Sequence, residues 1–496
     1  DVRPRTAFRP LLQPASSLMS LRTSTLSLIV VACLLRGNLF AQELPTTYFR
    51  HAWGQAGDTH PLPENLEQDA KLVWRAPLLP GQSSPCVCGD SIYLTTYDAD
   101  QQELATLALD RASGKLRWKQ ICPTQTIEPF HRTGSPACST VACNGKQVFA
   151  FFGSFGLLAY DLQGKLLWKK PLGPFQDEFG AASSPILVDH LVILNEDHDI
   201  DSFLIAIDQQ TGETVWRVPR QGFTRSYATP VVWEHAGRKQ IIVAGSLQLT
   251  GYDALTGKRL WWLNGLSRIV DVTPVVAGKH LYIATQTAGG DATQRIAMEP
   301  FPEALKKYDQ NQDGGIAKSE LPADSPVVPR FFRMDLDQNQ QLDAGEWAKH
   351  ASVFARARNA AMRVTLGSSG QLTDSNIDWI YRRGLPTVPS SVVYRDALYM
   401  MKDGGIITSI DVANGKLLKT GRAPAGRGNY YASLVAGDGK VYLCSERGVV
   451  TILKAQAKWQ VLSSHDFGER IMATPTVVDG QMYLRTDDAL YCYRKS

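Results

Sequence analysis

The feature that most constrains this chain is a short segment that recurs along it. Each copy begins with Ala, Gly or Ser two residues before an Asp, continues through a turn that ends in Gly, and finishes in a strand. That strand carries Trp in every copy but the last, which has Lys419. The copies are residues 108–118, 159–168, 206–216, 251–261 and 409–419. Asp and Gly are typical of tight turns, because Asp bonds nearby amides and Gly tolerates positive φ. Each copy therefore predicts a strand, a turn and a second strand.

A second marker recurs independently of the first. A Ser/Thr-Pro pair precedes a short apolar run at Ser84-Pro85, Ser135-Pro136, Ser184-Pro185, Thr229-Pro230, Thr273-Pro274 and Thr474-Pro475, with degenerate copies at Ser390-Ser391 and Ala432-Ser433. Proline is tolerated at the first residue of a strand, where no ladder hydrogen bond is lost. The marker therefore predicts eight innermost strands.

The spacing of the repeats indicates the architecture. The repeats are about 40–50 residues long, as expected for four-stranded propeller blades. The Trp residues stand at 74, 118, 168, 216, 261, 379 and 459. A strand around Trp74 has no inner strands of its own, and the strands from Ile471 to Tyr493 lack an outer one. We therefore predict an all-β, eight-bladed propeller closed by its N-terminal strand, with seven blades as the alternative count.

The motif Ala-x-Asp-x-x-x-Gly-Lys-x-x-Trp, repeated with Ser/Thr-Pro inner strands, resembles the PQQ-like repeat family of propellers over about residues 71–296 and 364–496. The resemblance implies one of two roles. One branch contains quinone-dependent dehydrogenases, and the other contains non-enzymatic propellers such as the lipoprotein of the outer-membrane β-barrel assembly machine. Quinone-dependent alcohol dehydrogenases of the first branch carry two adjacent cysteines, whereas Cys86 and Cys88 are separated here by Val87.

The long interval between Trp261 and Trp379 contains a calcium-binding pattern. The first EF-hand loop, called loop 1 here, runs from residue 309 to 320 and has oxygen side chains at the required places and Gly314 at position 6. A Ca²⁺ ion needs six to eight oxygen ligands, which makes this spacing specific. Position 8, Ile316, is expected to pair with the other loop. The predicted ligands of loop 1 are Asp309, Asn311, Asp313, Gly315 and Glu320.

A second loop, called loop 2 here, follows from residue 335 to 346 and departs from the pattern at position 6, where Gln340 replaces Gly. We expect helices around both loops, at 301–308, 328–334 and from 346 to about 363. The pair would bind one or two Ca²⁺ ions and brace the insert. The predicted ligands of loop 2 are Asp335, Asp337, Asn339, Gln341, Asp343 and Glu346.

Arginine recurs a few residues before the inner-strand markers. Equivalent positions on successive blades lie around one mouth of a propeller, so a ring of arginines would suit an anionic ligand. The alternative is that each Arg bonds loop carbonyls or packs between blades. The candidate ligand-binding residues are Arg132, Arg225, Arg268, Arg427 and Arg470.

Other parts of the sequence give weaker indications. The acidic stretch 195–201 fits no known metal loop, and we expect a solvated hairpin there. No catalytic set is evident. A formal net charge of only +4 gives no indication of nucleic acid as a partner. The seven cysteines after residue 35 are an odd number, so they form one or two disulfides among the first five or remain small buried side chains.

The N-terminal region predicts export. Arg22 follows Met19, and residues 26–35 form an apolar stretch that is too short to span a bilayer but suits a signal-peptide core. Cleavage after Ala41, lipidation of Cys33 and an uncleaved anchor are the three alternatives. Residues 1–18 precede a natural start at Met19.

The expected organisation follows from these features. Residues 1–42 are a signal peptide and upstream segment, 43–70 an extension, 71–296 the first propeller part with 71–78 closing the last blade, 297–363 the EF-hand insert, and 364–496 the remaining blades. We expect a periplasmic or surface scaffold that binds a protein or an extended anionic ligand, with PQQ-dependent dehydrogenase as the rival interpretation. The absence of adjacent cysteines argues against PQQ as a cofactor. Membrane association would arise only through a lipid or signal anchor.

Overall fold

The chain folds into an eight-bladed β-propeller. The computed structural model describes residues 46–496 apart from 125, 178, 221, 289–297, 368 and 425, so the predicted signal peptide lies outside the described residues. The predicted count of eight blades is confirmed, and the alternative count of seven is wrong. Among the described residues, we find no helix with the length and apolarity needed to cross a bilayer.

The first four blades are antiparallel sheets whose strands are paired in chain order. Blade 1 comprises Cys86–Cys88, Ser91–Asp98, Glu103–Asp110 and Leu116–Ile121. Blade 2 comprises Ala142–Cys143, Gln147–Phe152, Gly156–Asp161 and Leu166–Lys170. Blade 3 comprises Ile186–Val188, Leu191–Glu196, Phe203–Asp208 and Thr214–Pro219. Blade 4 comprises Val231–His235, Arg238–Gly245, Gln248–Asp253 and Arg259–Asn264, extended by the parallel strand Gly370–Leu372.

The last four blades include the ring closure. Blade 5 comprises Val275–Ala277, His280–Thr285, Ala360–Thr365 and Ile377–Tyr381. Blade 6 comprises Val392–Tyr394, Ala397–Lys402, Ile406–Asp411 and Leu417–Arg422. Blade 7 comprises Val435–Gly437, Lys440–Cys444, Val449–Lys454 and Gln460–Asp466. Blade 8 comprises Thr476–Val478, Gln481–Arg485 and Ala489–Lys495, completed by the N-terminal strand Ala70–Pro77. Closure by the N-terminal strand is therefore confirmed.

The recurring Trp and Gly hold neighbouring blades together. Trp118 on blade 1 donates its indole N–H to the Leu162 carbonyl of blade 2 at 2.9 Å. A Cβ added to Gly164 would lie 2.7 Å from the same ring, so only glycine lets the turn approach it. Lys419 replaces Trp in blade 6, and its ammonium donates to the Trp459 carbonyl of blade 7 at 2.7 Å. The repeated motif therefore supplies the packing between blades.

The insert leaves blade 5 between its second and third strands. It contains the helices Phe301–Tyr308, Phe331–Met334 and Ala344–Arg356, and the short strands Ile316–Ala317 and Gln341–Leu342. Ile316 pairs with Leu342, as expected for position 8 of two EF-hand loops. The third helix ends at Arg356 and not near Arg363, because Ala360–Thr365 is recruited as a strand of blade 5. The insert has its own apolar core around Phe331, Met334 and Trp347.

Candidate functional site

The innermost strands surround a central cavity whose wall is a ring of hydroxyls. The backbone N–H before seven of the eight inner strands donates to a Ser or Thr hydroxyl of the next blade at 2.9–3.1 Å. The donor and acceptor pairs are Ser84–Thr140, Thr140–Ser184, Ser184–Thr229, Thr273–Ser390, Ser390–Ser433, Ser433–Thr474 and Thr474–Ser84. The Ser/Thr of the marker thus links blades around the axis, a role that we did not foresee from the sequence.

Blade 2 departs from the predicted marker. Thr140, which precedes Val141, occupies the ring position, whereas Ser135 lies earlier in the loop and lines the cavity. The connection into blade 2 is long enough to hold both residues. The Ser135-Pro136 pair was therefore the wrong equivalent of the inner-strand marker.

The N-terminal segment crosses one end of the ring. Arg50 is buried, and its guanidinium donates to the Leu434 carbonyl at 2.9 Å and to the Ser391 carbonyl at 2.5 Å. Thr47 forms a bridge with Cys143, with both N–H···O distances at 2.8 Å. Phe49 lines both the central cavity and a smaller one of about 190 Å³ beside the segment. Burial lowers the pKa of Arg50 to about 9, and its carbonyl partners compensate part of that cost.

The central cavity has a volume of about 540 Å³. Besides the hydroxyl ring, its lining includes two cationic side chains, Arg268 and Arg333, and two acidic ones, Asp271 and Asp403. Arg333 belongs to the insert, so the propeller and the insert build the cavity together. Burial, assisted by the nearby Asp177 carboxylate, raises the pKa of Asp271 to about 7. The lining therefore contains both fixed charges and a carboxyl that titrates near neutral pH.

A buried polar network lies behind Tyr227 in the cavity wall. The Tyr227 hydroxyl donates to Asp177 Oδ1 at 2.5 Å, and Asp177 Oδ2 lies 3.3 Å from His198 Nδ1. His198 Nε2 lies 2.9 Å from Glu196 Oε2. Burial lowers the pKa of His198, but Asp177 and Glu196 outweigh it and raise the pKa to about 10. Burial also raises the pKa of Glu196 to about 7. The network therefore contains an imidazolium held between two acids.

The acidic stretch 195–201 forms a hairpin as expected, with Ile200 and Asp201 exposed at its tip, but the expectation that residues 195–199 are solvated was wrong. Asn195, Glu196, Asp197, His198 and Asp199 are each at most 2% exposed. The charges of Asp197 and Asp199 are matched by arginines that come later in the chain. Burying a charge is costly unless it is paired, so these arginines explain why the stretch is inside the protein.

The two ion pairs have short contacts. Arg220 donates from Nε and Nη2 to the Asp197 carboxylate at 2.6 and 2.8 Å. Its Nη1 donates to the Tyr252 hydroxyl at 2.6 Å. Arg225 Nε donates to Asp199 Oδ1 at 2.6 Å. Truncation of either arginine would remove a charged partner from a buried carboxylate.

The structure separates the five arginines that we singled out from the sequence. Arg268 lines the central cavity. Arg225 is buried against Asp199, and Arg470 Nε pairs with Asp487 Oδ2 at 2.8 Å. Arg132 and Arg427 are exposed and do not belong to the described lining of the cavity. A single member of the predicted set, joined by Arg333 from the insert, therefore faces the cavity.

Backbone amides bind the carboxylates of loop 1, in which Asp313 is exposed and Asp309 and Glu320 are half-buried. Glu320 Oε1 accepts from the N–H groups of Gln310 and Asn311 at 3.0 and 3.3 Å, and Asp309 Oδ2 accepts from Gly314 at 3.1 Å. Hydrogen bonding by the Gly315 N–H lowers the pKa of Asp313. Gly314 has φ 87°, as position 6 of an EF-hand loop requires.

Loop 2 is more compact. One carboxylate oxygen from each of Asp335, Asp337 and Glu346 lies within 4.8 Å of the other two, and the described part of the chain contains no second group of this kind. Asp335 and Glu346 are 4% and 7% exposed, and Asp335 Oδ1 has no hydrogen-bond partner. Burial raises the pKa of both carboxyls. Three clustered acids with an orphaned buried oxygen fit a hard divalent cation.

Loop 2 also contacts the propeller. The Gln176 side-chain amide donates to the Leu336 carbonyl. A small cavity of about 30 Å³ is lined by Arg225 and Arg268 from the propeller and by Leu336, Glu346 and His350 from the insert. The second loop therefore lies next to the arginine that neutralises Asp199 and to the one that lines the central cavity.

Comparison with known proteins agrees with the fold. The model of the family described as outer membrane protein assembly factor BamB matches residues 65–193, 164–298 and 353–496. The stretch left unmatched between them contains loops 1 and 2. No curated protein sequence matches the chain.

Three solved structures illustrate the range of similar folds. BamB from Moraxella catarrhalis is 14% identical, with a TM-score of 0.50 and coverage of 86% of this chain and 98% of that chain. Quinohemoprotein alcohol dehydrogenase from Comamonas testosteroni is 12% identical, with a TM-score of 0.52 and coverage of 86% and 76%. The computationally designed Ika8 protein is 8% identical, with a TM-score of 0.51 and coverage of 86% and 99%. At these identities the likeness shows the fold alone.

Proposed function

Because this chain belongs to the PQQ-like repeat family described as outer membrane protein assembly factor BamB, we propose that it is an exported scaffold without catalytic activity. Its partner is a protein segment or another extended anionic ligand that enters the mouth of the central cavity. The insert binds calcium and holds one side of that mouth in place.

The composition of the cavity mouth carries this proposal. Arg268 from the propeller and Arg333 from the insert both line it, together with the hydroxyl ring. Guanidinium groups bind carboxylates and phosphates with two parallel hydrogen bonds, and hydroxyls accept or donate as a peptide requires. A ligand that reaches both arginines would contact the propeller and the insert at once, so the position of the insert affects binding.

Calcium supports the arrangement from the side of the insert. In loop 2 the ion would be held by Asp335, Asp337 and Glu346, with Asn339, Asp343 and the Gln341 carbonyl at the remaining EF-hand positions. Loop 1 would use Asp309, Asn311, Asp313, Glu320 and the Gly315 carbonyl. A bound cation neutralises the clustered acids, and its binding free energy adds to the stability of the insert.

Export is supported by the apolar stretch 26–35 behind Arg22 and by the name of the family, which refers to the outer membrane. We place the protein in the periplasm or at the cell surface. Attachment to a membrane would then use the N-terminal signal or a lipid on Cys33.

A quinone-dependent dehydrogenase is the second candidate, and Asp271 is the observation that favours it. A carboxyl with a pKa of about 7 inside a cavity is suited to act as a general base. The thiol chemistry of the cavity fits this candidate less well, because its described lining includes Cys138 and no adjacent cysteine pair. We therefore derive no reaction step through a quinone.

Site-specific photo-cross-linking tests the scaffold function. A photoreactive amino acid replaces Asn429, an exposed residue of the cavity lining, and in a matched control it replaces Leu417, which is 52% exposed on the outer strand of blade 6. Each protein is irradiated in cells and in envelope extract, with calcium or with chelator. We expect an adduct of defined mass at position 429 and none at 417.

Each outcome separates the candidates. An adduct that weakens in chelator supports a scaffold whose insert governs binding, and one that persists assigns binding to the propeller alone. Absence of adducts at 429, together with dye-linked oxidation of alcohols or sugars after quinone is added, would replace the scaffold by the dehydrogenase. Equal adducts at 429 and 417 would contradict binding at the cavity.

A further inference from the structure

Two thiols from neighbouring blades touch in the apolar core between blades 1 and 2. Cys88 lies on the inner strand of blade 1 and Cys143 on the inner strand of blade 2, and their sulfurs are 2.7 Å apart. They are 3% and 0% exposed. We infer that Cys88 and Cys143 form a disulfide that joins blades 1 and 2. A disulfide bond is about 2.05 Å long, so a shift of about 0.7 Å closes it.

The neighbouring thiol, Cys86, is directed to another partner. Cys86 and Cys88 lie on the same face of one strand, since side chains alternate along it. The Cys86 sulfur lies 3.1 Å from Thr47 Oγ1 and 3.8 Å from the Thr47 carbonyl oxygen. Cys86 is therefore engaged by the N-terminal segment, and Cys88 is the member of the pair that meets Cys143.

The contact between the two sulfurs is a hydrogen bond of the docked blades. The Cys143 thiol donates to Cys88, which lowers the pKa of Cys88 and raises that of Cys143. Thiolates are the attacking species in disulfide exchange, so either cysteine can begin the reaction before the blades dock. The complete burial of both sulfurs requires that exchange takes place while blades 1 and 2 are still docking.

The step needs an oxidant, which we name as a disulfide of the thiol–disulfide oxidoreductase class or oxidised glutathione. In one of the two possible orders, the Cys88 thiolate attacks one sulfur of the oxidant, forms a mixed disulfide and releases one thiolate of the oxidant. Cys143, after losing its proton to solvent, attacks the Cys88 sulfur and releases the second thiolate. Two electrons pass to the oxidant, two protons are released, and one sulfur–sulfur bond forms in the protein.

The location of this bond gives it a structural consequence. Cys143 is also the residue that Thr47 bridges with two backbone hydrogen bonds. The disulfide would fix the strand on which the N-terminal segment rests as it crosses the ring. It would also close a loop of 55 residues across two blades, which removes conformations from the unfolded chain.

The inference rests on export, because disulfides persist in oxidising compartments. The test is therefore done on the purified full-length chain, refolded in a glutathione buffer set to the redox potential of an oxidising compartment. In this buffer the outcome does not depend on where the protein is located. Remaining thiols are blocked with N-ethylmaleimide under denaturing conditions, and peptides are mapped by mass spectrometry. We expect a linked peptide containing Cys88 and Cys143, retained in Cys86→Ser and lost in Cys88→Ser. Modification of both cysteines in the unsubstituted protein, or a link that survives Cys88→Ser, would overturn the assignment.

Thermal stability gives a second readout. The double variant Cys88→Ser/Cys143→Ser should melt on the order of 5 °C below the unsubstituted protein in oxidising buffer, and the difference should shrink after reduction with a phosphine. Cys444→Ser, which removes a buried thiol from blade 7, serves as the control and should show no such dependence on reductant. A reductant-independent difference for the double variant would mean that only side-chain packing was lost.

Discussion

The two predicted calcium loops of the insert differ in their organisation, and the difference is the opposite of what their sequences indicate. Loop 1 matches the EF-hand pattern at every required position, including Gly314, yet its acids, all among the described residues, form no cluster like that of loop 2, with Asp313 exposed and Asp309 and Glu320 half-buried. Loop 2 has Gln340 at that position, yet its acids are clustered within 4.8 Å and partly buried. A motif describes which residues could bind an ion, whereas the surrounding structure decides how far they are organised before it arrives.

The difference arises from what each loop contacts. Loop 2 lies against the third and fourth blades, where Gln176 bonds the Leu336 carbonyl and Arg225 lines the same small cavity as Glu346. Loop 1 is connected to the rest of the insert chiefly through the Ile316–Leu342 pairing and through Gln341, which donates to Asp313 at 2.6 Å. We therefore expect loop 2 to dominate the effect of calcium on the whole protein.

The largest expected effect tests whether the propeller surface under loop 2 is rigid. Arg225→Ala removes the partner of Asp199 in a pair that is 7% and 1% exposed, so the free energy of unfolding should fall by about 3–5 kcal/mol. The control is Arg470→Ala, whose pair with Asp487 is 39% and 27% exposed and should cost about 1 kcal/mol or less. Urea denaturation in calcium measures both, and equal losses would contradict a buried, rigid support for loop 2.

The next effect compares the bidentate glutamates. Glu346→Gln removes a charged ligand from the clustered site, so calcium affinity there should fall about 100-fold. In free energy, this loss matches the lower end of the cost of removing one partner of a buried ion pair. Glu320→Gln should produce a smaller loss of calcium-dependent stabilisation, and the double variant should lack it altogether. Melting temperatures in calcium and in chelator give the comparison. A melting temperature that still rises equally with calcium in the double variant would refute the calcium assignment.

Position 6 of the two loops offers a matched pair of substitutions whose expected effects on loop stability have opposite signs. Gln340 has φ 72°, a left-handed conformation that costs a non-glycine residue about 1 kcal/mol, so Gln340→Gly should stabilise loop 2 by about that amount. Gly314→Ala in loop 1 should cost a similar amount, because a Cβ there meets no atom within 4 Å and only backbone strain is added. Calcium titrations of the two variants check the signs, and a destabilising Gln340→Gly would show that the Gln side chain contributes more than its backbone costs.

Features encoded in short periodic patterns could be predicted from the sequence. The eight blades, their closure by the strand around Trp74 and the Ile316–Leu342 pairing all follow from turns, alternation and spacing. The last insert helix was predicted about seven residues too long, since the apolar run near Ala360 suits a strand as well as a helix and pairing with His280–Thr285 decided between them.

Features that depend on distant partners could not be predicted. The acids at Asp197 and Asp199 look solvated until Arg220 and Arg225 are placed beside them, and these are 23 and 26 residues away along the chain. The arginines before the inner strands share a sequence position but not a location, because the connecting loops differ in length, and so only Arg268 reaches the cavity. Local patterns fix the strands, and the loops between them determine which side chains meet.

The smallest expected effect isolates electrostatic repulsion in loop 2. In chelator, Asp335→Asn should raise the free energy of unfolding by about 0.5 kcal/mol, the scale of one unfavourable like-charge pair, because it removes one of three clustered charges. The same variant should lose stability relative to the unsubstituted protein once calcium is present, so the two melting curves should cross as calcium is added. Asp309→Asn is the matched change in loop 1, and it should change the free energy of unfolding little in chelator. A gain in chelator for both variants alike would indicate a general effect of net charge, and the two loops would then be equally organised.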